Sequence, residues 1–128
     1  IHDHEPRKAM TLDDIMIYSS NIGTGKLADR LGSEKLYQYA RLFGFGVLPG
    51  SCLPFEAKGT LRPPSKWSGM SKYTVSFGQE VSVTALQLIG AYSALANGGR
   101  LMEPRIVSAI IGEDGEAVWE NPPADAVA

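Results

Sequence analysis

The chain has 128 residues, of which 44% are hydrophobic and 20% are charged, with a formal net charge of −2. This balance excludes a disordered polymer, and the sequence contains no apolar run of the roughly 18 residues that a membrane-spanning helix needs. The slightly acidic charge, without clustered Lys or Arg, argues against binding to nucleic acid or to an anionic membrane surface. We therefore expect at most one domain, residues 1–128, excised from a longer protein.

Two short patterns that could carry other functions are incomplete. His2 and His4 have metal-ligand spacing, but there is no further His to complete a ligand set, so no metal or other cofactor is predicted and residues 1–10 are expected to be a solvated lead-in. Gly25-Lys26 continues with Leu27 where a phosphate-binding loop has Ser or Thr. Cys52 is the single cysteine, so it cannot form an internal disulfide.

Three helices are predicted in the first third of the chain. Thr11 to Asp14 matches a helix-capping signature, which predicts a short helix ending near Tyr18. A second helix is predicted over about 22–31, stopped by Gly32, and a third is predicted to be capped by Ser33 and to end before Gly44. The third carries helically spaced apolar residues, and we expect it to share a buried face with the second; these residues are Leu36, Tyr39, Ala40 and Phe43.

The polar stretch Ser19-Ser20-Asn21 separates the first two predicted helices. Ser and Asn side chains bond to nearby backbone groups, so they favour caps and turns over helix interiors. One interpretation is a helix-turn-helix corner from which Ser19 and Asn21 point into a cleft. The alternative is that Ser20 or Asn21 merely caps the following helix.

The periodicity is lost between residues 45 and 79, where Gly and Pro accumulate. Such a long irregular segment normally carries function or leans on a neighbouring surface. A helix without charged residues follows at about 83–97, with Ser82 as its expected cap. Its helically spaced apolar residues are predicted to be among the most buried in the chain: Ala85, Leu88, Ile89, Tyr92 and Leu95.

A β-hairpin is predicted near the end of the chain. Residues 104–111 are rich in β-branched side chains and residues 117–119 are apolar. Asp114-Gly115 lies between them and predicts a type I′ turn. An isolated hairpin is marginal in water, so we expect it to pack on the helices or on sheet outside this chain.

Taken in order, these segments resemble the middle of a class B penicillin-binding protein transpeptidase domain. The resemblance covers nearly the whole chain, and the Ser-Ser-Asn form is closest to the division and sporulation branch. It implies an α+β fold, mostly helical here with a C-terminal hairpin. The blocks that carry it are Met10-Thr11-Leu12, Ser19-Ser20-Asn21-Ile22-Gly23, Phe43-Gly44-Phe45-Gly46, Leu53-Pro54, Glu56-Ala57-Lys58-Gly59, Phe77-Gly78-Gln79, Val81 to Leu88, and Ala94 to Gly99.

The family implies three active-site motifs, namely S-x-x-K with the acylated Ser, S-x-N, and K-T-G. Of these, only S-x-N is in the chain, as Ser19 and Asn21. The resemblance implies that Ser19 relays a proton beside the absent Lys, and that Asn21 binds the acyl-chain carbonyl of a stem peptide or β-lactam while accepting from that Lys. Phe77, Gly78 and Gln79 are expected to line the cleft, or else to form only a loop that enters a helix.

Three positions depart from the family pattern. Glu80 stands where Gly commonly follows F-G-Q, and Phe55 stands where Gly is usual in L-P-G-E. Cys52 stands where an Asp often precedes L-P. A Gly at position 80 would serve a positive φ or a close backbone approach, so Glu80 puts the backbone shape at the cleft edge in question.

The resemblance predicts a peptidoglycan D,D-transpeptidase that forms a Ser acyl-enzyme, is inhibited by β-lactams and acts on the extracytoplasmic face of the bacterial inner membrane. Its membrane anchor would lie outside this chain. Residues 1–128 alone lack the nucleophile, so we expect them to be inactive, with uncovered apolar surface that favours self-association. The alternative function is a catalytically inactive β-lactam sensor or scaffold of the same fold.

Overall fold

A computed structural model describes residues 1–3, 7–122 and 126–127. The chain divides into two compact units. The first consists of Ile1–Tyr39 and Thr60–Ser82, and the second of Ala40–Gly59 and Val83–Ala128. Within the described part of the chain, no helix is both long and apolar enough to cross a membrane.

The secondary structure is mostly helical, as predicted, and ends in a two-stranded antiparallel hairpin. A 3-10 turn at Pro64–Lys66 precedes the fourth helix. The elements in chain order are α1 (Leu12–Ile17), α2 (Asn21–Leu31), α3 (Ser33–Leu42), α4 (Ser71–Ser76), α5 (Ala85–Ala96), β1 (Ala109–Ile111) and β2 (Ala117–Glu120).

The start of α1 confirms the capping prediction. The Thr11 hydroxyl accepts from the Asp14 amide at 3.1 Å, and the Asp14 carboxylate accepts from the Thr11 amide at 2.9 Å. Both hydrogen bonds of a capping box are therefore made.

Helix α4 is the α-helix of the first unit that the sequence did not predict. It lies within the segment expected to be irregular, and it is the helix that packs on α2, which also contacts α1. Gly25 of α2 faces Tyr73 of α4, where an added Cβ would lie 3.5 Å from the ring. The predicted shared face of α2 and α3 is wrong: α2 packs on α4 and α1, and none of the described residues of α3 is buried.

Helix α5 begins two residues later than predicted, because its cap is Thr84 and not Ser82. The Thr84 hydroxyl accepts from the Gln87 amide, and Gln87 Oε1 accepts from the Thr84 amide at 2.8 Å. Thr84 to Gln87 is therefore a second capping box, with the same T-x-x-E/Q spacing that marks such helix starts in sequences.

The buried face of α5 was predicted wrongly. Leu88 is 45% exposed and Tyr92 68% exposed, whereas Ala91 and Ala94 are only 7% and 3% exposed. Ala85, Ile89 and Leu95 are also exposed. The helix is apolar nearly all round, so periodicity alone could not select its inner side.

Gln87 selects the inner face of α5 through the contacts of its side chain. Its Nε2 donates to the carbonyls of Gly44, Val47 and Lys58, at 3.1, 2.7 and 3.0 Å. The same face carries Ala91 and Ala94, whose small side chains are buried beside Gln87. Within residues 1–128 the larger apolar side chains of α5 are exposed, and self-association through them remains a prediction.

The hairpin is confirmed, but its turn and strand length differ from the prediction. The strands are only three and four residues long, with a bulge beside Ile111. The Gly115 amide donates to the Gly112 carbonyl, and the Gly112 amide donates to the Glu116 carbonyl. Among the described turn residues only Gly115 has positive φ, so this is a three-residue type I turn with a glycine bulge and not a type I′ turn.

The three positions that depart from the family pattern share one backbone property. Cys52, Phe55 and Glu80 all have left-handed backbone, with φ of 62°, 63° and 59°. A side chain in this conformation costs roughly 1–2 kcal/mol relative to glycine. Of the two reasons considered for a glycine at position 80, a positive φ is the one that the backbone of this chain shows, and position 55 shows it as well.

Replacing Phe55 with glycine is expected to stabilise the protein by about 0.5–1 kcal/mol, because the relieved backbone strain exceeds the added freedom of the unfolded chain. The Phe55 side chain is fully exposed within residues 1–128, so its removal uncovers no described residue. The measurement is the denaturant midpoint of the complete protein. Glu80→Gly is the matched control, since it relieves the same strain but deletes a hydrogen-bonded carboxylate, and it should lower the midpoint. A lower midpoint for Phe55→Gly would contradict the strain argument.

Candidate active site

Ser19 occupies the left-handed position that ends α1, with φ of 49°. The Ser19 amide donates to the Met16 carbonyl at 3.3 Å, and the Ser20 amide donates to the Ile15 carbonyl at 3.0 Å. These two hydrogen bonds form a Schellman motif, in which the left-handed residue is usually glycine. Here that residue is an exposed serine whose hydroxyl makes no hydrogen bond to any described residue.

Ser20, not Ser19 or Asn21, caps the next helix. Its hydroxyl accepts from the Gly23 amide at 2.8 Å, and the residue is only 2% exposed. A Cβ added at Gly23 would lie 2.6 Å from the Ile15 side chain, so glycine is required where α1 and α2 meet. The capping alternative is thus correct for Ser20, and it leaves the side chains of Ser19 and Asn21 available for other contacts.

Asn21 is the first residue of α2 and is half-buried. Its Nδ2 lies 3.5 Å from the His2 carbonyl, at the outer limit of a hydrogen bond. Asn21 also borders an open cavity of about 310 Å³, together with Ile1, Ile22, Gly25, Lys26 and Tyr73. Among the described residues, the Asn21 carboxamide therefore makes only this one long hydrogen bond, and it lies next to open space.

Asp3 is the site residue that the sequence did not single out. It lies in the segment expected to be a solvated lead-in, yet its Oδ2 accepts from the Ser20 hydroxyl at 2.5 Å and its Oδ1 accepts from the Ile22 amide at 3.0 Å. The Ser20 hydrogen bond, followed by the Ile22 amide, lowers the pKa of Asp3 below its ordinary value. No local sequence signal marked this contact, because Asp3 and Ser20 are 17 positions apart in the chain.

Phe77, Gly78 and Gln79 form the turn that ends α4. The Gly78 amide donates to the Val75 carbonyl, and the Gln79 amide donates to the Thr74 carbonyl at 2.9 Å. Phe77 is half-buried, whereas Gly78 and Gln79 are exposed. The described residues around the cavity beside Asn21 do not include these three, so their predicted place in a cleft remains a prediction.

Glu80 holds this turn against α4. Its carboxylate accepts from the Thr74 hydroxyl at 2.6 Å and the Ser71 hydroxyl at 2.8 Å, and it pairs with the Arg62 guanidinium. The hydrogen bond from Thr74, then that from Ser71 and the charge of Arg62, lower the pKa of Glu80. These contacts offset the backbone strain at position 80.

No metal-binding cluster of three or more His, Cys, Asp or Glu side chains exists among the residues that the structure describes. His4, one half of the H-x-H pattern, lies outside those residues. The groups assembled at the α1–α2 corner are a hydroxyl, a carboxamide and a charged capping carboxylate. A hydroxyl can both give and take a proton, and a carboxamide offers a donor and an acceptor without charge.

Comparison with known proteins identifies the family to which the chain belongs. Residues 1–128 match the penicillin-binding protein transpeptidase domain over their whole length. The chain therefore belongs to this family, as the sequence motifs predicted, and its similarity to PbpB, PenA and stage V sporulation protein D places it among the class B members.

Three relatives show how much of such a protein the chain represents. It is 41% identical over 107 residues to the penicillin-binding protein PbpB of Mycobacterium tuberculosis, covering 84% of this chain and 16% of PbpB. It is 42% identical over 93 residues to the stage V sporulation protein D of Bacillus subtilis, covering 73% and 14%. It is 32% identical over 121 residues to the probable peptidoglycan D,D-transpeptidase PenA of Neisseria meningitidis, covering 94% and 21%. The chain thus spans at most about a fifth of these relatives.

The fold is also similar to that of a solved structure. The crystal structure of penicillin-binding protein 3 from Mycobacterium tuberculosis in its apo form superposes with a TM-score of 0.89 at 37% identity, over 99% of this chain and 29% of that one. The same protein has been solved in complex with ampicillin and with aztreonam. The mixed fold with a C-terminal hairpin is thereby confirmed.

Proposed function

We propose that this chain is the central part of a D,D-transpeptidase that cross-links peptidoglycan stem peptides. In the complete protein a Ser outside residues 1–128 attacks the D-Ala-D-Ala carbonyl, and an amine of a neighbouring stem peptide resolves the acyl-enzyme. β-Lactams inhibit the reaction by acylating the same Ser. Family membership supports this function, as do the transpeptidase name of PenA and the drug complexes of the structural neighbour.

Within this reaction we assign Ser19 to proton relay and Asn21 to substrate binding. The Ser19 hydroxyl passes a proton from the Lys of the S-x-x-K motif to the leaving amine. The Asn21 amide donates to the acyl-chain carbonyl of the stem peptide or β-lactam, and its oxygen accepts from that Lys. We also assign Phe77, Gly78 and Gln79 to the wall of the same cleft.

The observation that carries this assignment is the left-handed serine at the α1–α2 corner. Glycine would make the same Schellman motif without strain, so the backbone does not explain a serine at position 19. Strained residues that persist are concentrated at functional sites. The Ser19 hydroxyl is exposed and makes no hydrogen bond to a described residue, and the neighbouring Asn21 amide makes only one long hydrogen bond. Both groups are therefore available for proton relay and for binding a carbonyl.

The proposal includes the location and partners of the complete protein. Its substrate lies in the cell wall, so the domain works outside the cytoplasm, and we place it at the outer face of the inner membrane through an anchor outside this chain. Its partners are stem peptides and β-lactams.

Intact-protein mass spectrometry of the complete protein tests the function. Incubation with excess penicillin should add the mass of one drug molecule, and peptide mapping should locate the adduct on a Ser outside residues 1–128. Residues 1–128 alone should gain no mass, because a covalent intermediate needs the absent nucleophile. An adduct on any Ser within residues 1–128 would overturn the motif assignment.

The alternative of an inactive sensor or scaffold makes a different prediction in the same assay. A sensor would form the adduct but would not release D-Ala from a D-Ala-D-Ala peptide, and a scaffold would form no adduct. A stoichiometric adduct, released D-Ala and a product that joins the peptide to an added acceptor amine would together establish the transpeptidase.

A further inference from the structure

The carboxylate of Asp3 and the hydroxyl of Ser20 form a closed pair at the start of α2. Ser20 has one hydroxyl proton, which it donates to Asp3 at 2.5 Å, while the same oxygen accepts from the Gly23 amide at 2.8 Å. The second Asp3 oxygen accepts from the Ile22 amide at 3.0 Å. Two of the amides left unpaired at a helix start are thus satisfied, one directly and one through Ser20.

This pair restrains the residue that lies between Ser19 and Asn21. Ser20 is buried, and its amide is held by the Ile15 carbonyl at the end of α1. Its backbone is therefore fixed from one helix and its side chain from the other. Ser19 and Asn21 are the chain neighbours of Ser20, so the position of the Ser20 backbone determines the directions of their side chains.

Loss of the Asp3 carboxylate would remove this restraint on Ser20. The Ser20 proton would have no acceptor in a buried position, and an unpaired buried hydroxyl is costly. If the side chain turned about its Cα–Cβ bond to reach another acceptor, its oxygen would move away from the Gly23 amide and that hydrogen bond would be lost as well. Both changes occur one residue away from the proposed relay and binding groups.

We propose that Asp3 is a positioning residue for the transpeptidation site, acting through Ser20 on Ser19 and Asn21. This inference rests on the proposed function and deepens it, because it adds a residue outside the S-x-N motif. A small misplacement of reacting groups is enough to slow an enzyme by as much as about 100-fold.

The test measures acylation of the complete protein by a fluorescent penicillin, normalised to the folded fraction. Asp3→Ala should slow acylation roughly 10- to 100-fold. Asp3→Asn should lie between it and the unmodified protein, since an amide keeps one acceptor oxygen. Asp14→Ala is the matched control: it also removes a capping carboxylate with two hydrogen bonds to Thr11, but at the far end of α1, and it should leave acylation unchanged.

A double-mutant cycle separates positioning from a purely structural role. If Asp3 acts through Ser19, adding Asp3→Ala to Ser19→Ala should slow acylation by much less than Asp3→Ala does in the unmodified protein. Fully additive effects would overturn the inference, as would normal acylation by both Asp3 variants. If Asp3→Ala does not fold, the same cycle with Asp3→Asn decides between these results.

The outcome for the unmodified protein keeps the two proposals apart. No acylation of the unmodified protein would remove the proposed function and this inference with it. Normal acylation of the unmodified protein with no effect of the Asp3 substitutions would remove only the inference.

Discussion

Replacing Ser19 with glycine is expected to slow β-lactam acylation of the complete protein by about 100- to 10,000-fold, the range that a lost proton relay typically costs. The same substitution should leave the fold intact or stabilise it slightly, since glycine adopts the left-handed backbone of position 19 without strain. The measurements are the acylation rate constant and the denaturant midpoint of the same preparation. A slower enzyme with an unchanged or higher midpoint is the expected combination.

Two further variants show which property of the corner matters. Ser19→Ala keeps the strained backbone and lacks the hydroxyl, so it should be as slow as the glycine variant. Asn21→Ala should slow acylation as well, and Asn21→Asp should not restore it because a carboxylate cannot donate to a carbonyl. Ser20→Ala is the contrasting substitution, since it removes a buried cap and should lower the midpoint.

The opposite pattern would refute the site assignment. If Ser19→Gly and Asn21→Ala both acylate at the normal rate, these residues are only the ends of two helices. If they lower the midpoint and the remaining folded protein acylates normally, their role is in folding and the proton relay lies elsewhere.

Replacing Gln87 with leucine is expected to cost about 2–4 kcal/mol of stability. The substitution keeps the approximate size of the side chain but removes the donor shared by the carbonyls of Gly44, Val47 and Lys58. Each buried acceptor left unpaired costs about 1–3 kcal/mol, less where water can reach it. One of the two capping-box hydrogen bonds, from the Thr84 amide to Gln87 Oε1, is lost as well.

Gln87→Glu provides a sharper test because it preserves the shape of the side chain. An ionised carboxylate would face three carbonyl oxygens and donate to none of them, whereas a protonated one retains a single donor. Folding therefore favours the protonated form, and the stability of the variant should fall as the pH rises through the range in which the carboxyl ionises.

Thermal unfolding at several pH values measures both Gln87 predictions. Gln38→Glu is the matched control, because Gln38 is exposed on α3 and the same chemical change there should have little effect. A Gln87→Leu variant as stable as the unmodified protein would show that water satisfies the three carbonyls. A Gln87→Glu variant whose midpoint does not depend on pH would contradict the argument from charge.

The α1–α2 corner shows how far local sequence signals reach. Three local features set the ends of α1 and α2: the capping pattern at Thr11, the polar stretch at residues 19–21 and the stop at Gly32. Each depends on interactions between close neighbours in the chain, so the ends of both helices were predicted to within one residue. The S-x-N motif pointed to Ser19 and Asn21 in the same way. Asp3 was missed because its hydrogen bond to Ser20 joins residues 17 positions apart, and no local pattern encodes such a pairing.

Helix α5 shows where periodicity fails. Its spacing correctly predicted a long apolar helix, but both of its sides are apolar or small, and hydrophobicity is non-directional. The inner side was chosen by hydrogen bonds from Gln87 to backbone more than 25 residues away in the chain.

The turn type of the hairpin was predicted wrongly for a related reason. An Asp-Gly pair suits several turn types, and the strand register selected among them.

The sequence by itself determined the family, the S-x-N motif, the positions of most helices and the hairpin, because each depends on residue identity or on contacts within a few residues. Only the tertiary structure decided which face of α5 is buried, that α4 packs on α2, and that Asp3 holds Ser20. These features depend on hydrogen bonds and close approaches between distant segments. Their geometry exists only once the chain has folded.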